Sequence, residues 1–214
     1  MTGSLSPSKG PRVAVLDYGS GNLHSATRAL AEAGADVVLT ADAAQATRAD
    51  GLVVPGVGAF AACMEGLLGV GGDAIIAERI AAERPVLGIC VGHQVLFARG
   101  DEHGEVVPGC GIYPGLVTQL NAVRLPHMGW NEVRAPETTR MFAGVTGERF
   151  YFVHSYGALS AADLPEDALV TLTRHEDAEF VAAVEWGVVW STQFHPEKSG
   201  AAGGRLLRNW IATL

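Results

Sequence analysis

Alternation of short β-rich runs with helical segments in the N-terminal quarter constrains the fold more than any other feature of this sequence. Three runs rich in apolar residues are predicted strands: Arg12–Leu16, Asp36–Thr40 and Gly51–Val54. Between them, a helical pattern begins at Leu23 and ends at Gly34, and Ala43–Ala49 predicts a short helix. Strands and helices that alternate at this spacing form βαβ units, which build a parallel sheet with helices on both faces.

The rest of the chain continues this pattern and then departs from it. Further helices are predicted at 60–68, 73–83, 91–98 and 200–214. Further strands are predicted at 85–89, 149–153, 170–173, 181–184 and 188–193. Trp186-Gly187 indicates a hairpin, and the glycine- and proline-rich stretch from 105 to 134 indicates others. The predicted fold class is therefore α/β, with an open, mostly parallel central sheet flanked by helices and inserted antiparallel hairpins.

Composition limits the classes of protein to consider. The 214 residues suit a flexible leader at 1–10 followed by one domain at 11–214. A formal net charge of −8 opposes non-specific nucleic-acid binding, and no apolar run reaches the roughly 18 residues of a membrane span. The leader has no apolar signal-peptide core, and Cys63, Cys90 and Cys110 lack metal-ligand spacing. We therefore expect a cytoplasmic protein without a metal.

The segment Gly88–Gly92 (Gly-Ile-Cys-Val-Gly) is typical of a buried strand that turns sharply into a helix. Small residues flank Cys90, as the crowded backbone of such a corner requires. The N-terminal N–H groups of the new helix would point at the sulfur and favour thiolate over thiol. This local sequence fits a nucleophile and a small buried hydrophobic residue about equally well.

The segment Pro55–Phe60 (Pro-Gly-Val-Gly-Ala-Phe) follows the third predicted strand. Loops at the carboxyl ends of strands line the ligand crevice of open α/β sheets, so this loop should lie beside Cys90. Its glycines allow a backbone N–H to be aimed at an oxyanion, although a plain tight turn has the same composition. The earlier Gly19-Ser20-Gly21 turn is no dinucleotide fingerprint, because His24 stands where a third glycine belongs.

A histidine and an acid stand near the C-terminus, in Gln193–Glu197. His195 and Glu197 are two residues apart, so in an extended segment both side chains project to one side, and Pro196 is expected to hold that geometry and to block a helix. A histidine can activate a thiol, and a carboxylate can orient that histidine. An exposed loop with an incidental acid and histidine has the same sequence, but the two preceding segments favour a Cys-His-Glu triad.

Two segments, Gly88–Gln94 and Gln193–Ser199, resemble the signatures of class I (triad) glutamine amidotransferases. More narrowly, the chain is similar to the glutaminase subunits of imidazole glycerol phosphate synthases. Five segments in order carry that similarity: Asp17–Asn22, Pro55–Phe60, Pro126–Asn131, Tyr151–Ser155 and His195–Ser199. His93 departs from the family, which more often has methionine there, and we expect it to be a packing residue.

The resemblance implies hydrolysis of glutamine to glutamate and ammonia. Cys90 would form a glutamyl thioester, His195 would carry the proton from the thiol to the ammonia, and Glu197 would orient His195. Backbone N–H groups would bind the oxyanion, with or without a peptide flip in the loop, and are assigned to Val91 and to Gly56 or Val57. The resemblance implies five residues that hold the substrate glutamine: Gly58, Gln94, Glu102, His154 and Ser155.

The resemblance implies no cofactor and one protein partner, a (β/α)8-barrel cyclase subunit that forms a heterodimer with this chain and uses its ammonia in histidine biosynthesis. Five residues are expected toward the partner: Asn22, Arg28, Trp130, Tyr151 and Lys198. Trp130 and Tyr151 also fit ordinary half-buried aromatic residues.

Two alternatives to this interpretation are a glutaminase of another kind and a silent binding module on the same scaffold. The first includes a subunit of another ammonia-using synthase, such as that of pyridoxal phosphate synthesis, and a γ-glutamyl hydrolase. The segment His127–Asn131 and the start Asp17-Tyr18-Gly19 disfavour these glutaminases. The complete triad disfavours the silent module, which would not need it.

Overall fold

The structure, a computed structural model, describes residues 10–214. Apart from Gly10, the predicted leader lies outside the described residues. Within them the strands are β1 (Arg12–Leu16), β2 (Asp36–Thr40), β3 (Gly51–Gly56), β4 (Val86–Cys90), β5 (Phe97–Glu102), β6 (Glu105–Pro108), β7 (Tyr113–Gln119), β8 (His127–Glu132), β9 (Arg149–His154), β10 (Tyr156–Ala158), β11 (Leu169–His175), β12 (Ala178–Trp186) and β13 (Val189–Thr192). The α-helices are α1 (Leu23–Glu32), α2 (Ala43–Arg48), α3 (Phe60–Gly69), α4 (Gly72–Ala81), α5 (Val91–Gln94) and α6 (Gly200–Ile211).

A seven-stranded sheet in the order β11-β12-β13-β4-β3-β1-β2 forms the centre of the fold. The five strands from β13 to β2 run parallel, and β12 and β11 add an antiparallel edge. Every residue of β3 and β4 is buried, because central parallel strands are covered on both faces. The predicted fold class and the predicted hairpin through Gly187 are confirmed.

Helix ends and faces follow from local sequence. The side chains of Asn22 and Asp42 accept backbone N–H bonds at the N-termini of α1 and α2, which is the usual capping chemistry. Helix α6 buries Ala202, Leu206 and Trp210 at helical spacing and so packs one face on the core. Within residues 10–214 no single helix meets the length and hydropathy needed to cross a membrane; the pair α3 and α4 does so only together, across a bend of 76°.

Two smaller sheets lie beside the central one, with the orders β10-β7-β5-β6 and β8-β9. The prediction of a helix at 91–98 is wrong in length, since α5 ends at Gln94 and β5 begins at Phe97. The physical reason is tertiary: the backbone of β5 pairs with β6 and β7, and Tyr113 N–H donates to the Leu96 carbonyl at 2.9 Å.

The carboxyl ends of β1, β3, β4 and β13 meet at one edge of the central sheet. Gly56 pairs with Cys90, and Thr192 pairs with Ile89. The segments that follow these strands therefore assemble at a single place, which is where open α/β sheets bind ligands.

Candidate active site

Cys90 stands at a strained corner between β4 and α5. Its φ of 57° and ψ of −113° are rare for a residue with a side chain. Close packing of backbone on backbone surrounds the corner: a Cβ on Gly92 would lie 1.8 Å from the Val54 carbonyl oxygen, and one on Gly88 would lie 2.6 Å from that of Gly92. Sterics therefore require the two glycines that lie two residues before and after Cys90.

His195 and Glu197 form a buried pair beside this corner. The distance from His195 Nδ1 to Glu197 Oε1 is 2.7 Å, and only 2% and 3% of their side chains are exposed. The prediction of an extended segment is wrong beyond His195, because Pro196–Lys198 form one turn of 3-10 helix. Proline is tolerated at the first position of a helix, because a backbone N–H at that position has no acceptor within the helix. The turn still brings both side chains together.

His195 has a shifted proton affinity. Burial lowers the pKa of its imidazole, but interactions with Cys90 and Glu197 outweigh that effect and raise the pKa to about 9. His195 Nε2 and Glu197 Oε2 are buried and have no hydrogen-bond partner within residues 10–214. Since Nδ1 is bound to Glu197, Nε2 is the nitrogen available to the sulfur and to a reacting group.

A pocket of about 320 Å³ opens at Cys90 and His195. It brings together residues that are far apart in the sequence, and all five predicted glutamine-binding residues line it: Gly58, Gln94, Glu102, His154 and Ser155. Val57, Val91 and Lys198 line it too. Gly56 and Glu197 are not in the lining, since Gly56 pairs with Cys90 inside the sheet and Glu197 lies behind His195.

Two glutamines connect the pocket wall to the sulfur. Gln94 Nε2 donates to the Tyr156 carbonyl at 2.8 Å and to Gln193 Oε1 at 3.0 Å. Gln193 Nε2 in turn lies 3.9 Å from Cys90 Sγ. The Gln94 amide donor is thus fully used inside the protein, so this side chain shapes the pocket wall from within.

Hydrogen bonds to Ser20 and Cys63 hold the backbone of Val57 in the loop after β3. Val57 N–H donates to Ser20 Oγ at 3.3 Å, and Ser20 Oγ donates to the Val57 carbonyl at 2.9 Å. Cys63 Sγ lies 3.0 Å from the same hydroxyl. In contrast, Val91 is the first residue of α5, so its N–H has no acceptor within the helix. In this conformation the Val91 N–H has no partner within the helix, whereas the Val57 N–H is bound to Ser20.

Comparison with known families agrees with this arrangement. The family model described as glutamine amidotransferase class-I matches residues 14–214. The chain belongs to this family.

Close relatives within the family carry one name, imidazole glycerol phosphate synthase subunit HisH. The Corynebacterium glutamicum protein is 58% identical over 204 residues, which cover 93% of this chain and 97% of that protein. The Mycolicibacterium paratuberculosis protein is 60% identical over 203 residues, covering 94% and 98%. A solved structure titled glutamine amidotransferase matches with a TM-score of 0.73 at 19% identity, covering 94% of this chain and 99% of that one, and thereby shows the fold.

Of the five residues expected toward a partner, Asn22, Arg28 and Trp130 are exposed in this amidotransferase fold, whereas Tyr151 and Lys198 are half-buried. Trp130 is 51% exposed and its ring meets that of Tyr151 at 6.1 Å, edge to face. Asn22 caps the N-terminus of α1, and Arg28 lies on that helix, where it pairs with Glu32. Lys198 instead lines the pocket. The backbone of Tyr151 also supports the site, since its carbonyl accepts the His195 N–H at 2.9 Å.

His93 does not belong to the pocket of this amidotransferase. It is fully buried, its Nδ1 lies 2.8 Å from Ser191 Oγ, and burial lowers its pKa to about 3. This agrees with the expected packing role. Within residues 10–214, no group of three or more histidine, cysteine or acidic side chains is arranged to hold a metal ion.

Sequence reasoning missed several residues that shape this site. Ser20 and Cys63 hold the Val57 peptide, Gln193 contacts the sulfur, and Val153 and Tyr156 line the pocket. Ser20 and Gln193 stand inside segments that carried the family resemblance, so the signal was present. Which polar atom each of them meets depends on contacts between distant segments.

Proposed function

We propose that this chain is the glutaminase subunit of an imidazole glycerol phosphate synthase. It hydrolyses glutamine and supplies the ammonia to a (β/α)8-barrel cyclase subunit, its heterodimer partner in histidine biosynthesis. The names of relatives that are 56–60% identical support this assignment. The observation that carries the chemistry is that Cys90 and His195 line one pocket while Glu197 binds His195 from behind.

The proposed reaction has two steps. The Cys90 thiolate attacks the carboxamide carbon of glutamine, the C–N bond breaks, and His195 donates the proton that lets ammonia leave. Water then attacks the glutamyl thioester, His195 accepts a proton from it, and glutamate and the thiolate are released. Glu197 holds the imidazole in the tautomer that presents Nε2 to the sulfur and stabilises the imidazolium. No cofactor takes part in this proposal.

The tetrahedral intermediate needs donors for its oxyanion. We assign these to the N–H groups of Val91 and of Val57 or Gly56, the Val57 peptide turning toward the pocket for the reaction. Glu102 would bind the α-ammonium of glutamine, and Gly58, Gln94, His154 and Ser155 would complete the substrate site.

The partner surface and the setting are also part of the proposal. The cyclase would dock on the face that bears Trp130 and Tyr151 together with Asn22, Arg28 and Lys198. Residues 11–214 would form one amidotransferase domain, preceded by a leader at 1–10, in the cytoplasm.

The decisive experiment is to measure glutamate release from glutamine by the chain alone, and then with the cyclase subunit and its nucleotide ligand. A Cys90→Ala variant serves as the control. We expect low activity alone, a large rise in the complex, and loss of activity in the variant. Rapid hydrolysis without the partner would contradict the coupling, and no activity in either state would contradict the proposed function.

A further inference from the structure

A hydrogen-bond chain that begins on β8 ends at the wall of the pocket, and the function proposed above uses only its last histidine, His154. The Asn131 amide has a defined orientation, because its Oδ1 accepts the Glu132 N–H at 2.9 Å and its Nδ2 donates to the Arg174 carbonyl at 2.9 Å. The same Nδ2 lies 3.3 Å from His127 Nε2. Because an amide NH2 group is only a donor, His127 Nε2 must be the acceptor and carries no proton.

The other end of the hydrogen-bond chain fixes the position of the proton on a second histidine, His154. His154 Nδ1 lies 2.8 Å from the Tyr156 carbonyl, so Nδ1 must carry a proton. His127 Nδ1 lies 3.1 Å from His154 Nε2. A neutral His127 with its proton on Nδ1 therefore donates to a neutral His154 that accepts on Nε2. Both ends require the same single arrangement of protons, and an added proton on either ring would break one of these bonds.

The surroundings keep both rings neutral. Burial and the neighbouring His175 lower the pKa of His127 to about 4. Burial chiefly lowers the pKa of His154 to about 3. His127 is also stacked between aromatic neighbours, with ring centroids 4.9 Å from Phe152 and 4.3 Å from His175. The ring is therefore held in position as well as in one tautomer.

The hydrogen-bond chain ends at the Tyr156 carbonyl, which shapes the wall of the substrate pocket. The Tyr156 oxygen accepts from both His154 Nδ1 and Gln94 Nε2, and residues 154–156 line the pocket. We infer that His127, oriented by Asn131, is a positioning residue for glutamine binding: its Nδ1–H bond holds His154 in the tautomer that fixes the pocket wall at Tyr156. This inference rests on the proposed function, since it assigns a role within that substrate site.

His127→Phe tests the inference because it keeps an aromatic ring and removes the donor. The matched control is His175→Phe, which alters the ring stacked on His127 but leaves the hydrogen-bond chain intact. In the complex with the cyclase we expect His127→Phe to raise KM for glutamine about five- to tenfold, the effect of losing one hydrogen bond, with kcat changed less than about twofold. His127→Asn, which can place an amide donor near the Nδ1 position, should restore part of the loss.

The tautomer itself is a second readout that needs no activity. In protein labelled with 15N-histidine, the His154 ring should show a protonated Nδ1 and an unprotonated Nε2, and His127→Phe should shift that signal. Asn131→Asp, which replaces the donor by an acceptor at the far end, should shift it too if His127→Phe does not fold. Unchanged KM and an unchanged His154 signal in a folded variant, or an equal effect of His175→Phe, would overturn the inference. Absence of glutaminase activity in the unmodified complex would instead refute the proposed function, while the tautomer measurement would still decide the arrangement of protons.

Discussion

The two halves of the candidate oxyanion site are held in different ways. At the Cys90 corner, backbone packs on backbone so closely that added Cβ atoms on Gly88 or Gly92 would overlap carbonyl oxygens. In the loop after β3, a hydroxyl and a thiol hold the Val57 peptide, at 2.9 to 3.3 Å. Steric exclusion cannot be relaxed without unfolding the corner, whereas a few hydrogen bonds cost about 1 kcal/mol each to exchange.

The Cys90 corner is therefore the rigid half, and the loop that carries Val57 is the half that can change conformation. Because this close packing lies within the chain itself, we expect Cys90 and the Val91 N–H to keep their places when a partner binds. The Val57 N–H has to leave Ser20 before it can bind an oxyanion. A partner that rearranges this loop would switch on a triad that is already assembled, which is the coupling expected of an ammonia-supplying subunit.

Changing the nucleophile should have the largest effect. Cys90→Ser fits the same corner, but a hydroxyl does not ionise near neutral pH, so we expect glutamate release to fall by about 10⁴-fold or more. Thermal unfolding should stay close to that of the unmodified protein. Activity within tenfold of the original would show that the corner does not carry the nucleophile.

Removing the orienting carboxylate should be the next largest change. Glu197→Gln is expected to lower kcat/KM by about 10² to 10⁴-fold. The pKa of His195 is raised to about 9, so the imidazolium needed by the leaving ammonia is present below that pH and is lost as the pH rises through it. Without Glu197 this pKa falls, and the basic limb of the pH–rate profile should move to lower pH. A limb that stays in place would contradict the role of Glu197.

The same shift has a consequence for stability. Because the folded-state pKa of His195 lies above its ordinary value of 6.5, the stabilisation from its charged form is complete below about pH 6.5. It is lost as the pH rises to about 9. Glu197→Gln should weaken this dependence of the unfolding free energy on pH, and an unaltered dependence would exclude the pair as its source.

The steric half of the comparison is tested by a pair of glycine variants. Gly92→Ala places a methyl group against the Val54 carbonyl, and we expect it to lower the free energy of unfolding by about 3 kcal/mol or more. Gly69→Ala, in α3 with open space around its Cβ, should be neutral or stabilising by up to about 1 kcal/mol. Equal results in chemical denaturation would show that close backbone packing does not fix the Cys90 corner.

Weakening the contacts that hold the Val57 loop should raise glutaminase activity by a small factor. Ser20→Ala removes the acceptor of the Val57 N–H, so the peptide can turn toward the pocket at lower cost. We expect partner-independent glutamate release to rise about two- to tenfold, the effect of one hydrogen bond. Ser20→Thr keeps the hydroxyl and should behave as the original. A loss of activity in Ser20→Ala would mean that the serine supports the productive loop instead.

Local chemistry determined much of this protein from sequence. The Cys90 corner, the buried strands on either side of it and the pairing of His195 with Glu197 depend on residues close together in the chain, and each was predictable. The meeting of the active-site segments at one edge of the sheet also followed, because βαβ units bring the carboxyl ends of parallel strands together. The order of the strands did not follow from the sequence.

Tertiary contacts decided the rest. Helix α5 is shorter than its pattern predicts because β5 pairs with β7, and Ser20 meets Val57 across 37 residues of sequence. His127 contacts His154 across 27 residues, and nothing in the sequence of its segment predicted that contact. A polar side chain has several possible partners in an unfolded chain, and only packing selects one. The direction of each hydrogen bond, and with it the state of the site, is therefore a property of the folded structure.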